Sequence, residues 1–204
     1  TLKRMGEKIT TGHLTGVDYS PVSVKTSLKT NRQDVESGKM KVLEGSVESL
    51  SFADDTFDKI TTVESFYFWP APQENLKEVR RVLKPGGRFL CSTYGNSHMK
   101  EISQLVSRFD ERIVLSANKL YEKFGRENGA HVLEPWFSRV EWISYEDGLL
   151  VSDPEPLISY ILSCHGNQNR YLLDHYKEFR SFVKKKTEKG LHITKDAGIF
   201  ICNY

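Results

Sequence analysis

The chain has 204 residues, a length suited to one domain with a single sizeable core. Its 38% hydrophobic and 27% charged residues describe an ordinary globular protein, and a net charge of +2 gives no reason to expect nucleic acid as a partner. No apolar run approaches the ~20 residues of a membrane span and no signal peptide is visible, so a cytoplasmic location is expected.

Residues 1–9 read as a helix with Leu2, Met5 and Ile9 on one face. A nucleotide-binding α/β fold normally opens with a strand and a Gly-rich turn before such a helix. Residues 13–18 form the next strand, ending at Asp18. A helix follows, with Ser20 as N-cap and Pro21 at its first position. Val24, Leu28 and Val35 suit its buried face, and Gly38 ends it. A carboxylate at a strand tip, as Asp18 is, can accept both ribose hydroxyls of an adenosine cofactor. The alternative is a helix-start carboxylate that satisfies backbone amides. Residues 40–44 are a strand leading into Gly45-Ser46-Val47-Glu48, with Leu50 and Phe52 packing under the loop.

Residues 58–63 are a β-rich run, apolar at Ile60 and Val63, that stops at Glu64-Ser65. The aromatic run Phe66-Tyr67-Phe68-Trp69 then sits at a strand's carboxyl end, where open α/β sheets bind ligands. Phe66 and Phe68 are expected in the core; Glu64, Tyr67 and Trp69 are the site candidates. Pro70 and Pro72 break the chain, and residues 73–84 take a helical period with Leu76, Val79, Val82 and Leu83 on one face. Pro85-Gly86-Gly87 is expected to end that helix, and residues 88–93 form a strand. Strand, helix, tight turn and strand make a βαβ unit.

His98 opens the next helix, whose apolar face is Ile102, Leu105, Val106 and Phe109. A neutral imidazole there could take a substrate proton; a plain surface histidine is the alternative. Residues 115–137 look helical, interrupted near Asn128-Gly129, and residues 139–145 are a strand with Val140 and Trp142 on one face. Ser152-Asp153-Pro154-Glu155 reads as a capping box opening a helix through Leu157, Ile158 and Ile161. Residues 171–186 are a further helix, in which the basic run Lys184-Lys185-Lys186 reads as a solvated end. Residues 197–202 are the last strand. Cys91, Cys164 and Cys202 are odd in number and unevenly spaced, so neither a disulfide framework nor a Cys-type zinc site is expected, and no metal is. Cys91 and Cys202 lie in apolar runs and are expected to be core thiols.

One ordered set of residues carries a resemblance. Asp54-Asp55-Thr56-Phe57-Asp58 runs into a strand, and the following helix closes on Arg80-Arg81-Val82-Leu83-Lys84-Pro85-Gly86-Gly87. Over residues 2–95 this resembles the class I S-adenosylmethionine-dependent methyltransferases, in the subgroup similar to the ubiquinone/menaquinone-biosynthesis C-methyltransferases. The resemblance implies a doubly wound, mostly parallel α/β sheet of Rossmann-like type as one domain. It implies S-adenosylmethionine as cofactor and a small-molecule methyl acceptor as substrate. It also implies a Gly-x-Gly-x-Gly loop immediately before Leu2; the motif is absent from the 204 residues, and a Gly-rich strand-turn upstream of Thr1 is the expectation. The family usually places an acidic residue after the glycine at 45, against the adenine amino group; this chain has Ser46, whose hydroxyl, or the Val47 amide, would meet the base.

On that resemblance Asp18, Tyr19, Ser46, Val47 and Glu64 are the expected cofactor residues. Tyr67 and His98 are expected at the reacting atoms and Trp69 on the substrate, with aromatic faces able to attract a sulfonium cation. Helical inserts at about 96–135 and 152–190 form a possible cap over the acceptor. Methyl transfer needs alignment in a dry pocket, with a base only where the acceptor carries a proton, which accounts for the lack of any evident triad. Two rivals stand beside this reading. A nicotinamide-dependent dehydrogenase would also use a strand-tip acid, but its Tyr-x-x-x-Lys spacing does not occur here. A non-catalytic member would keep cofactor binding without turnover.

Overall fold

A computed structural model describes residues 1–116 and 118–204 of the chain. The chain divides into two compact units, residues 1–89 with 203–204, and residues 90–202. Among the described residues, the strands form two sheets. β1 (Leu14–Asp18) and β2 (Met40–Glu44) make one; β3 (Phe57–Val63), β4 (Leu83–Tyr94), β6 (Leu191–Asn203) and β5 (Arg139–Val151) make the other, in the order β3-β4-β6-β5. The single sheet expected from sequence is therefore seen in two parts.

In the first unit, α1 (Leu2–Lys8) packs on β1 because Gly16 presents no side chain to it. A methyl group at Gly16 would lie 2.5 Å from Cδ1 of Leu2. β1 and β2 pair in parallel, from Leu14 opposite Met40 to Asp18 opposite Glu44. Ser20 caps α2 (Pro21–Thr30), its hydroxyl accepting from the Ser23 amide at 3.4 Å. No residue of α2 is buried, contrary to the expectation for Val24 and Leu28; the chain turns again at Asn31 into the short α3 (Arg32–Glu36).

α4 (Pro72–Val82) buries the expected face, with Leu76, Val79 and Val82 all at 1% exposure or less. It ends earlier than Pro85-Gly86-Gly87 suggested. Leu83 already has extended angles, φ −87° and ψ 128°, and β4 begins there. A residue before proline is pushed out of the helical region, so Lys84 extends and the break moves back to Leu83. Gly86 then takes the left-handed φ of 76° inside the strand, a conformation that glycine adopts without steric cost. The aromatic run departs from expectation as well. Phe66 is buried at 1% exposure, but Phe68 is 65% exposed. Phe66–Phe68 is a 3-10 turn, in which residues three apart eclipse. Phe66 accordingly meets Trp69, ring centroids 4.5 Å apart, and Phe68 points elsewhere.

The second unit is built on one apolar cluster. It joins Ile102, Leu105 and Val106 of α5 (Lys100–Phe109), Leu157, Ile158 and Ile161 of α8 (Pro154–Ser163), Phe179 and Val183 of α10 (Tyr176–Thr187), and Ile193 of β6. The helix expected over 115–137 is reduced to α6 (Leu120–Lys123) and α7 (Gly129–Leu133); Ala117, inside that stretch, lies outside the described residues. Asn128 explains the gap. Its side chain accepts from the Gly125 amide and donates to the Glu122 carbonyl, both at 2.7 Å, and so replaces helical hydrogen bonds. The helix expected over 171–186 splits likewise, into α9 (Gln168–Leu172) and α10. Asp153 rather than Ser152 caps α8, accepting from the Glu155 amide at 3.0 Å, since Pro154 already occupies the first helical position. β5 and β6 run 13 residues each, well past the stretches 139–145 and 197–202 read from their patterns. Cys91 and Cys202 are both fully buried, and burial pushes the Cys91 thiol well above its ordinary pKa. Among the described residues no helix is long and apolar enough to cross a membrane.

Candidate functional site

The parallel register of β1 and β2 brings their carboxyl ends level, with Asp18 opposite Glu44. The Gly45 amide then donates to the Asp18 carbonyl at 3.0 Å, which ties the turn after β2 to the tip of β1. Gly45 lies close against β1: a methyl there would sit 3.1 Å from Cγ1 of Val17. Of the Asp18 carboxylate, Oδ1 accepts from the Ser20 amide at 2.9 Å. The helix-start role read from sequence is thus real, and it uses one oxygen; Oδ2 takes no hydrogen bond among the described residues. Tyr19, next along, is 81% exposed.

Ser46 and Val47 are half-buried in a tight turn that closes with the Ser49 amide on the Ser46 carbonyl at 3.2 Å. The Ser46 hydroxyl donates to the Glu48 carboxylate at 3.0 Å and accepts from the Glu48 amide at 3.2 Å. An acidic group therefore stands beside Ser46 after all, two residues later than the family pattern puts it. The sequence reading passed over Glu48, although a Ser-x-Glu after a strand-end glycine is the signal that could have found it.

Glu64 follows β3 with φ 50°, a left-handed conformation that costs a non-glycine residue roughly 1–2 kcal/mol. Its carboxylate accepts from the Tyr67 hydroxyl at 3.1 Å. The fold thus brings Glu64 and Tyr67 together, with the Tyr67 ring buried and Glu64 exposed. Trp69 is half-buried between Phe66 and the Phe89 ring, 6.2 Å away. Strain at the end of a strand, held by a buried aromatic, is the kind of feature that gathers at ligand sites.

His98 belongs to the second unit. It does not open α5, as its spacing suggested; it lies in the turn over 95–99, and Met99, at φ 54°, precedes the helix. Its ring stacks near Tyr94, centroids 5.1 Å apart, and Tyr94 in turn meets Tyr121 at 6.3 Å. The turn is held from β6. The Gly95 amide donates to the Asp196 carbonyl and the Met99 amide to the Thr194 carbonyl, both at 2.8 Å. Glu101 accepts from the Thr194 amide at 2.9 Å and its hydroxyl at 2.7 Å. Burial works to raise the Glu101 carboxyl, and those two bonds outweigh it, holding the pKa below the ordinary value. Arg126 and the Ser97 amide both reach the Asp196 carboxylate, at 2.9 and 3.3 Å.

The donor set at the β1–β2 end suits an adenosine. A carboxylate oxygen is left for ribose hydroxyls, and a hydroxyl, a carboxylate and backbone amides line the turn for a base edge. Residues 2–91 match the family profile described as a methyltransferase domain. The mitochondrial 2-methoxy-6-polyprenyl-1,4-benzoquinol methylase of Mus musculus is 33% identical over 103 residues, covering 45% of this chain and 32% of that protein. The demethylmenaquinone methyltransferase of Bacillus subtilis is 31% identical over 119 residues, 57% of this chain and 49% of the relative. Among solved structures, a SAM-dependent methyltransferase from Aquifex aeolicus superposes with a TM-score of 0.52 at 14% identity, over 74% of this chain and 69% of that one. The chain spans about half, or less, of the length of these curated relatives. The chain shares the Rossmann-like fold of that solved methyltransferase, and the profile match is confined to residues 2–91.

Proposed function

We propose that this chain works as an S-adenosylmethionine-dependent methyltransferase on a small-molecule acceptor. The observation that carries the reading is the level ending of β1 and β2, which sets Asp18 beside the turn of Ser46 and Val47. S-adenosylmethionine supplies an activated methyl group when bound. Asp18 accepts the ribose hydroxyls through the oxygen that the helix start does not use, and Tyr19 offers its exposed ring beside it. Ser46 and Val47 meet the adenine edge. Glu64, oriented by the Tyr67 hydroxyl, supplies a further carboxylate on the cofactor side, while the half-buried Trp69 presents aromatic surface to the acceptor. Where the acceptor carries a proton at its reacting atom, His98 is the residue proposed to take it. The names of the relatives, which act on benzoquinol and demethylmenaquinone, support a quinol-type ring as the acceptor class. Three free cysteines fit a reducing, cytoplasmic setting.

Calorimetry with S-adenosylmethionine and with adenosine tests the cofactor side. Asp18→Ala weakens both by about 1–3 kcal/mol, the scale for losing hydrogen bonds to a charged group. Unchanged affinity in a folded variant refutes the assignment. Binding without turnover on any quinol acceptor identifies a non-catalytic member.

A further inference from the structure

The turn after β2 is fixed at both ends, and only one end is accounted for by β1. Its far end is gripped by two side chains of α4. The Glu78 carboxylate accepts from the Leu50 amide at 2.9 Å. The Arg81 guanidinium donates to the Leu50 and Phe52 carbonyls and to the Asp54 carboxylate, each at 2.8 Å. Two further bonds at 2.9 Å lock the guanidinium to Glu78. The main chain joins in, with the Asp55 amide on the Arg81 carbonyl at 3.0 Å and the Thr56 amide on the Val82 carbonyl at 2.9 Å. α4 is itself anchored by Leu76, Val79 and Val82, all fully buried.

We propose that Glu78 and Arg81 are positioning residues for the cofactor's adenine end, setting the turn of Ser46 and Val47 at the distance and orientation at which it reads the base. This rests on the cofactor reading above. The physical argument is one of reach. Residues 45–50 hang between the Gly45–Asp18 bond and the Leu50 grip, so losing the second leaves the turn free to swing on the first. Only a planar fork can meet Leu50, Phe52, Asp54 and Glu78 together; a lysine ammonium, a single point charge, cannot span them. Neither side chain is required to touch the cofactor.

Nucleosides separate positioning from plain stability, because adenosine and inosine share a ribose and differ at the base edge, an amino donor in one and a carbonyl acceptor in the other. Calorimetric titration of the chain with each gives a preference. The expected preference for adenosine in the unaltered chain is about tenfold or more, the scale of one hydrogen bond left unmade. In Arg81→Met the preference collapses to about twofold or less, and Arg81→Lys does not rescue it. Asp18→Ala, by contrast, weakens both nucleosides alike and keeps the preference. If Arg81→Met weakens both nucleosides alike, or changes neither, the positioning role is overturned while the cofactor site stands. If the unaltered chain binds neither nucleoside, or shows no preference, the cofactor reading fails and the inference with it. Glu78→Gln is the second variant should Arg81→Met not fold; it is expected to lower the preference and the hydrogen-exchange protection of residues 45–54, and unchanged values of both overturn the role.

Discussion

Phe179→Ala is the sharpest test of how the second unit is held together. Phe179 is fully buried, and its ring meets that of Phe109 edge-on, centroids 5.1 Å apart. Around it lie Leu105 and Val106 of α5, Leu157 and Ile161 of α8, and Ile193 of β6, all in the same cluster. Truncating a buried phenylalanine costs about 3–5 kcal/mol, the transfer term plus the cavity left behind. The ring pair adds roughly 0.5–1.5 kcal/mol beyond area, so a loss near the upper end is expected. For chains of 150–250 residues each kcal/mol moves the midpoint by about 2–4 °C, which puts the melting temperature roughly 8–20 °C lower. Circular dichroism followed in urea and on heating measures both quantities. A loss below about 1 kcal/mol would refute the reasoning, because α5, α8 and α10 would then not share one core with β6.

Two further outcomes concern the candidate site. Glu64→Gly and Glu64→Ala both lose the carboxylate that accepts from Tyr67, but only glycine relieves the left-handed strain. The glycine variant is therefore expected to be about 1 kcal/mol more stable than the alanine variant, and both to bind S-adenosylmethionine more weakly than the parent. Thermal melts and calorimetry check both, and equal stability of the two variants sinks the strain argument. The second is a pH dependence at Glu78. The hydrogen bond from Arg81, and after it that from the Leu50 amide, hold the Glu78 carboxyl below its ordinary value of 4.5. A depressed folded pKa gives stability that is present above the unfolded value and lost as pH falls through the folded one. Hydrogen-exchange protection of residues 45–54, corrected for intrinsic rates, should therefore fall as pH drops below about 4.5, and Glu78→Gln should remove that step.

Much of the first unit was legible in the residues. Ser20 and Pro21 announce a helix start, the spacing of Leu76, Val79 and Val82 sets a buried helical face, and residues 40–44 read directly as a strand. These signals are local: a cap, a period and a run each act within a few residues along the chain. Asp18 was legible for the same reason, as a carboxylate closing a strand, and so was the Asp54-to-Gly87 pattern that carries the family resemblance.

Other features were decided only when distant residues met. Phe68 looked like core and lies exposed, because a 3-10 turn put Phe66 and Trp69 on one side. β5 and β6 extend through polar residues such as Glu146 and Lys195, since a strand is completed by its neighbour's hydrogen bonds and not by its own pattern. The grip of Arg81 on Leu50 and Phe52 spans 31 and 29 residues, and the hold of Glu101 on Thr194 spans 93. No periodicity or cap encodes such pairs. Helix faces, strand tips and the motif run that matches the methyltransferase-domain profile could be read from the residues alone. Which side chains hold the turn of Ser46 and Val47, and how His98 is seated beside Tyr94, was decided by tertiary structure, because long-range hydrogen bonds form only after packing has brought their partners within reach.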